Sequence, residues 1–186
     1  MTTQTGNLPL WQPSRERIAQ SNLTAFMRAA ARQWERDFGT YAELHHWSVE
    51  YPEQFWVSLW EFAGVIGDRG ATTLIDGERM PGAQWFPEAR FNFAENLLRS
   101  RKDSDALVFW GEDKFKSRLT HNELYHQVAQ LAAALRAMGI VSGDRIAAYL
   151  PNLPEALVAM LAAASIGAAS VGLIEMSSRS KVPDST

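Results

Sequence analysis

From Ala106 to Ala168 short apolar strands alternate with amphipathic helices across connections of a few residues, and this order constrains the fold more than any other feature of the chain. Strand, helix, strand, helix in that arrangement predicts right-handed βαβ crossovers in one sheet. Ala106 to Trp110 is the first strand, and Glu112-Asp113-Lys114 is polar turn material leading to a second around Phe115 to Arg118. Thr120-His121-Asn122-Glu123 is a capping box, flanked by Leu119 and Leu124 where a hydrophobic staple would form. Leu124, Val128, Leu131, Leu135 and Met138 then make an apolar stripe, which Gly139 is placed to end. Ser142-Gly143-Asp144 turns into Arg145 to Leu150, an apolar run that predicts a strand buried on both faces. Asn152-Leu153-Pro154-Glu155 signals a second helix start, continuing through Leu157, Met160, Leu161 and Ala164.

The first half has a different texture. After Ser21 or Asn22 as N-cap, Leu23, Phe26, Met27, Ala30 and Trp34 recur at helical spacing, with Gly39 placed to stop the run. Ser48 precedes a second helix in which Pro52 occupies the first turn and Phe55, Trp56, Leu59 and Trp60 line one side before Gly64. Between Gly64 and Arg90, six Gly and Pro residues (Gly67, Gly70, Gly77, Pro81, Gly82 and Pro87) predict an irregular connection and an internal boundary. Phe91 to Leu98 reads as a short helix followed by Arg99, Arg101 and Lys102, where positive charge suits a helix C-terminus.

Composition removes whole classes of function. A formal net charge of −3 leaves no surplus to neutralise a phosphate backbone, so nucleic-acid binding is excluded. The absence of cysteine excludes disulfides, thiolate catalysis and thiolate zinc sites, and fits a reducing cytoplasm. Met1 to Asn7 carries no secretory pattern, and the apolar run Ala156 to Ala164 is far short of the ~20 residues that a bilayer requires, so no membrane association is expected.

Trp47-Ser48-Val49-Glu50 is followed by Pro52-Glu53-Gln54-Phe55-Trp56 and by Trp85-Phe86-Pro87-Glu88-Ala89-Arg90-Phe91-Asn92-Phe93-Ala94-Glu95-Asn96-Leu97-Leu98. With Gly143-Asp144-Arg145, Leu150-Pro151-Asn152-Leu153-Pro154-Glu155-Ala156 and Ala162-Ala163-Ala164-Ser165-Ile166-Gly167-Ala168, these segments resemble the amino-terminal part of acetoacetyl-CoA synthetases, within the AMP-forming acyl-CoA ligase superfamily. The resemblance runs from about Leu10 to Ala168. It implies an α/β fold: a helical amino-terminal region over residues 1–100, then over 101–168 the first βαβ units of the large AMP-binding domain of an adenylate-forming ligase, incomplete in this chain. After Ala168 the sequence departs from the family pattern, and residues 169–186 form a serine-rich tail that reads as a premature end or an out-of-frame continuation and is expected to be disordered.

The resemblance implies a two-step reaction: a carboxylate attacks the α-phosphate of ATP to give an acyl-adenylate and diphosphate, and the thiol of CoA then displaces AMP. ATP, Mg2+ and CoA are the cofactors and co-substrates of the intact family, and acetoacetate is the acid. The chemistry needs a triphosphate cradle, the metal ion and a charge-stabilising lysine; in the family these lie beyond the segment matched here. The chain is therefore expected to be inactive alone and to bind none of these cofactors, and no catalytic, cofactor-binding or metal-ligating residue is assigned. Two alternatives stay open: a non-catalytic module pairing with a separately encoded remainder or a paralogue, or part of another short-chain ligase acting on acetate or propionate.

Other candidates have simpler readings. Gly64, Gly67 and Gly70 match neither nucleotide-loop pattern. His45 and His46 are adjacent, so on a helix they diverge by about 100°, and His121 and His126 fall on different faces of theirs. Trp34, Trp47, Trp56, Trp60 and Trp85 could line an acyl or adenine pocket, but most sit at core spacing. Glu155 lies beyond a strand's carboxyl end, where open α/β sheets place ligands, yet capping accounts for it; Arg90 and Arg145 are isolated cations.

A sheet so incomplete should leave an open edge and bare apolar surface. Purified chain is expected to be poorly soluble and to self-associate in sedimentation; a monomer with one sharp cooperative unfolding transition is the contrary outcome.

Overall fold

The computed structural model describes residues 11–111 and 116–174, so the turn at Glu112-Asp113-Lys114 and the tail beyond Ile174 lie outside the described residues. Within them the chain divides into two compact units, residues 11–65 with 69–89 and residues 66–68 with 90–174. The division falls within the Gly64–Arg90 stretch where the glycines and prolines place a boundary, and the second unit starts at Arg90, ahead of the residue-100 limit of the helical region. The reason is that the helix Phe93–Leu97 belongs to the second core, where Ala94 and the adjoining Leu98 are buried.

The first unit is built on helices α1 (Arg15–Ala19), α2 (Asn22–Trp34), α3 (Tyr41–Glu50) and α4 (Pro52–Phe62). Ser21 caps α2 by accepting from the Thr24 N–H, as its sequence position predicts. The expected stop at Gly39 comes earlier, because Glu35 adopts the left-handed conformation and closes the helix after Trp34. Gly39 instead serves the next helix: its N–H and that of Thr40 both donate to Glu43 Oε2, at 2.7 and 2.8 Å. Thr40 and Glu43 form a capping box that starts α3, a helix not expected from the sequence, and Ser48 lies inside it rather than ahead of α4. The core of this unit is Phe26, Ala30, Leu44 and Trp47, with Phe26 edge-on to Phe55 and Phe62.

The stretch from Gly64 to Ala89 is irregular, as its glycines and prolines predict. Its regular pieces are two-residue bridges: β2 (Leu74–Ile75) pairs antiparallel with β3 (Gln84–Trp85). In the second unit β1 (Gly67–Asp68) pairs antiparallel with β4 (Arg90–Phe91).

The second unit continues through α5 (Phe93–Leu97), β5 (Asp105–Trp110), β6 (Lys116–Thr120), α6 (His121–Ala137), β7 (Arg145–Leu150), α7 (Pro154–Ser165) and β8 (Ala169–Ile174). The expected single sheet is two separate ones among the described residues. β5 and β6 form an antiparallel hairpin, with Leu107 opposite Leu119 and an Arg118–Asp105 ion pair, whereas β7, α7 and β8 make a parallel crossover. Ala169–Ile174 is thus a strand in register with Arg145–Leu150, which corrects the expectation of a disordered tail from residue 169. β7 is also not buried on both faces: Ile146, Ala148 and Leu150 are half-buried and Arg145, Ala147 and Tyr149 exposed.

The core of this unit is where α6 and α7 meet. Leu124, Val128, Ala132 and Leu135 of α6 pack with Val158, Leu161 and Ala162 of α7 and with Ala94 and Leu98. Met138, expected on the same stripe, lies past the last helical residue and is 68% exposed. Gly139, at φ +84°, takes the left-handed position that follows.

The α6 capping box is complete: Thr120 Oγ1 accepts from the Glu123 N–H at 3.1 Å, and Glu123 Oε2 accepts from the Thr120 N–H at 2.8 Å and its hydroxyl at 3.0 Å. The backbone donation first, and the hydroxyl second, hold the Glu123 carboxyl below its ordinary 4.5. A depressed folded pKa means that the ionised form carries the stabilisation; it is complete above 4.5 and is lost as pH falls through the lower folded value. Glu123 should therefore titrate below 4.5 when followed by NMR, and the first-turn amides of α6 should lose protection over the same range. Titration at or above 4.5 contradicts the box, and Thr120→Ala should cost about 1 kcal/mol in urea unfolding.

Candidate functional site

The polar residues that the fold spends on architecture are separable, by their partners, from those left facing solvent. In the first unit a polar thread runs under the aromatic core. Trp34 Nε1 donates to Ser58 Oγ at 2.7 Å, and Ser58, itself buried, bonds Gln33 Oε1 at 3.0 Å and the Gln54 carbonyl at 2.8 Å. Gln33 Nε2 goes on to Glu61 at 2.8 Å, and Trp47 Nε1 donates to Gln54 Oε1 at 3.2 Å. These bonds satisfy polar groups where α2, α3 and α4 meet, and they occupy the hydroxyl of Ser58 fully.

The tryptophans divide accordingly. Trp47 is buried, Trp34 is half-buried on the polar thread, and half-buried Trp60 lies against Phe86, with ring centroids 5.3 Å apart. Trp56 and Trp85 pair at 5.7 Å but remain 42% and 41% exposed, which core spacing did not predict. Neither lines the groove of about 380 Å³ that opens between α2, α3 and α4, floored by Phe26, Leu44, Phe55, Leu59 and Phe62, with His45 and Ser48 on its lining. Ser48 Oγ donates to the His45 carbonyl at 2.7 Å, an i−3 helix bond, so hydroxyl and imidazole are not arranged as nucleophile and base. The groove can hold an apolar group and has no evident chemistry.

The glycine-rich stretch is built for close approach rather than for phosphate. A Cβ on Gly67 would lie 2.5 Å from Phe91 Cβ, and one on Gly70 would lie 2.5 Å from Glu88 Cβ. The N–H groups of Ala71 and Thr72, which might otherwise receive an anion, both donate to Glu88 Oε2, at 2.8 and 3.1 Å. The protein's own carboxylate fills that nest.

The segment Arg90 to Leu98 also has a structural role, carried by two asparagines that sequence reasoning passed over. Asn92 caps α5 by accepting from the Glu95 N–H at 3.0 Å, and its Nδ2 donates to the Ala164 carbonyl at the end of α7 at 2.9 Å. Asn96 exchanges two bonds with Ile66, each 2.8 Å, holding the segment that carries β1. The cap was legible, since Asn92 precedes an apolar run with Glu95 three residues on; the bonds to Ala164 and Ile66 depend on contacts distant in sequence.

The remaining candidates are dispersed. His46 bonds Glu50 at 3.4 Å on an exposed face, and His126 lies beside Tyr125. Arg90, Arg145 and Glu155 are exposed. α7 has Leu153 as N-cap with no side-chain capping bond, so the expected capping from Asn152 and Glu155 is replaced by Pro154 in the first turn, which removes one orphan donor. Among the described residues no three His, Asp or Glu side chains converge as a metal site would, and no helix is long and apolar enough to cross a membrane.

The profile of the AMP-binding enzyme family matches residues 93–182, and that of the acetyl-coenzyme A synthetase N-terminus matches residues 41–97. The acetoacetyl-coenzyme A synthetase of Rhizobium meliloti is 49% identical over 160 residues, 86% of this chain and 25% of that protein. The acetoacetyl-CoA synthetase of Xenopus tropicalis is 38% identical, over 86% of this chain and 24% of its own. Malonamoyl-CoA synthetase vrtB of Penicillium aethiopicum is 34% identical, over 86% of this chain and 23% of its own. The solved acetoacetyl-CoA synthetase from Streptomyces lividans superposes with a TM-score of 0.78 at 44% identity, covering 90% of this chain and 26% of its own. This chain is similar to the amino-terminal part of acetoacetyl-CoA synthetases and spans about a quarter of the length of the curated relatives it matches.

The thread through Ser58 generates a direct test. Ser58→Ala leaves the Trp34 indole N–H and the Gln33 Oε1 without the hydroxyl, and should destabilise the chain by about 1–3 kcal/mol in urea unfolding. A loss within experimental error would mean that water replaces the hydroxyl.

Proposed function

We propose that this chain, as the counterpart of the amino-terminal quarter of acetoacetyl-CoA synthetases, supplies the scaffold on which an acetoacetate–CoA ligase is built and forms no acyl-adenylate by itself. The reaction served is ATP, acetoacetate and CoA to acetoacetyl-CoA, AMP and diphosphate, with Mg2+ as the metal ion. The observation that carries this reading is the 49% identity to the Rhizobium meliloti enzyme, which extends through both units of the structure. The chemistry of the described residues agrees with a scaffold role: Ser58, Glu88, Asn92 and Asn96 are engaged in holding backbone and helix ends. We place the protein in the cytoplasm, in ketone-body utilisation and fatty-acid metabolism.

In a second reading, the chain, whose strand β7 exposes Arg145, Ala147 and Tyr149, acts as a module that pairs with a separately encoded remainder or with a paralogue. Identity to a malonamoyl-CoA synthetase, at 34%, keeps the acid as the least constrained part of the proposal, with acetate or propionate the alternatives.

Exchange of radiolabelled pyrophosphate into ATP separates these readings. The isolated chain should give no acetoacetate-dependent exchange, and one polypeptide joining it to the remaining sequence of the Rhizobium meliloti relative should give exchange at least tenfold faster with acetoacetate than with acetate or propionate, as a site that hydrogen-bonds the keto oxygen would require. Robust exchange by the isolated chain would overturn the scaffold reading.

A further inference from the structure

We propose that the groove between α1, α2 and the connection into α3 binds a single-chain amphipathic carboxylate, with its apolar chain on the groove floor and its carboxylate at Arg17 and Arg28. The groove lies wholly within the first unit and has a volume of about 610 Å³. That is within the ~300–1,000 Å³ of small-molecule sites. No step of the ligase reaction is placed there, so the site goes beyond the scaffold reading and stands apart from it.

The floor is apolar and backed by a core. Met27 and Phe38 line the groove and also pack against the cluster of Phe26, Ala30, Leu44 and Trp47, which holds them in place. Ile18 and Tyr41 line it as well and stay 49% and 63% exposed, so the unit leaves apolar surface open along the groove.

Charge selects an anion for the polar end. Among the described residues the lining includes Arg17 and Arg28 and no aspartate or glutamate. From Trp11 to Trp34 the sequence holds four arginines and one glutamate, in a chain whose net charge is −3, so positive charge is concentrated on α1 and α2. The carboxylates nearest in sequence are engaged elsewhere: Glu16 Oε1 accepts from Gln20 Nε2 at 3.2 Å, and Glu43 Oε2 takes the N–H groups of Gly39 and Thr40. The same Glu43 contacts close the start of α3 to an incoming anion, which leaves the two arginines as its donors.

Both guanidinium groups are open to a ligand. Among the described residues neither forms an ion pair, in contrast to Arg79 with Asp76 and Arg118 with Asp105. Arg17 lies over the Trp11 ring at 5.6 Å, a facial contact that leaves its in-plane N–H groups for a carboxylate. A neutral ligand would gain nothing from the arginines, and a short anion would forgo the floor; an anion with an apolar chain uses both.

The test titrates the full chain with decanoate, kept below its micelle concentration, and follows binding by calorimetry and by amide shifts of an isotope-labelled sample. Saturable 1:1 binding is expected, with the largest shifts at Arg17, Ile18, Met27, Arg28 and Phe38. Decanoate should bind at least about tenfold more tightly than hexanoate, which leaves part of the floor bare, and than decanol, which has the chain without the charge. Arg17→Gln and Arg28→Gln should each weaken binding about fivefold, and Arg79→Gln, outside the groove, should leave it unchanged. Both groove arginines are exposed, so these variants should fold, as circular dichroism will report; where one does not, the other and the shift map decide. The inference is overturned by the absence of saturable binding, by shifts that fall outside the groove, by decanol binding as tightly as decanoate, or by binding to anionic vesicles but not to the monomeric acid, which would make α1 and α2 a membrane-facing surface. Failure of the joined polypeptide in pyrophosphate exchange would strike the scaffold reading alone and leave this site untouched.

Discussion

The approach of α6 to α7 is the contact on which the second unit depends. Ala132 and Ala162 are small enough to bring the two helices close, and Val128 and Leu161, the largest side chains buried almost completely, fill the space between them. α7 in turn carries β7 and β8 on its other side, so the parallel pair is positioned by a helix already anchored in a core. α5 joins the same core through Ala94 and Leu98, and Asn92 ties its start to the last carbonyls of α7. Removing volume at Leu161 would thus loosen a helix, a sheet and a clamp together, because all three share one packed surface.

The first unit solves a different problem with different materials. Its helices are short, and its core is aromatic, with edge-to-face contacts of Phe26 to Phe55 and Phe62. Indoles bring N–H groups into a core, and those of Trp34 and Trp47 are answered by Ser58 and Gln54. That explains why a serine is buried on α4 among Phe and Trp neighbours. Throughout the described residues no buried side-chain polar atom lacks a partner, so the polar groups that each unit buries are satisfied within it.

This distribution of roles bears on how the similarity to acetoacetyl-CoA synthetases is understood. The segments that carry the resemblance, Trp85 to Leu98 above all, contain Glu88, Asn92 and Asn96, each of which holds backbone rather than facing a groove. Gly67 and Gly70 admit the close approach of Phe91 and Glu88, and the Glu88 carboxylate takes the N–H groups of Ala71 and Thr72. The same contacts that make the segment recognisable make it a scaffold.

Much of this was determined locally. The capping box at Thr120, the Ser21 cap, Pro52 and Pro154 in first turns, and the strand at Arg145–Leu150 all depend on residues within a few positions of one another, and they can be read along the chain. The box at Thr40 is equally local, since Thr40 and Glu43 are three residues apart, and Gly39 donates to the same Glu43 carboxylate rather than ending α2. Tertiary structure alone decided that β5 and β6 form a hairpin apart from β7 and β8, that Ala169–Ile174 is a strand, that Trp56 and Trp85 pair at the surface, and that Asn92 reaches Ala164. The physical reason is that strand partners and side-chain clamps are bonds between residues distant in sequence, whose formation depends on where the helices between them come to rest, whereas a cap or a turn closes on itself.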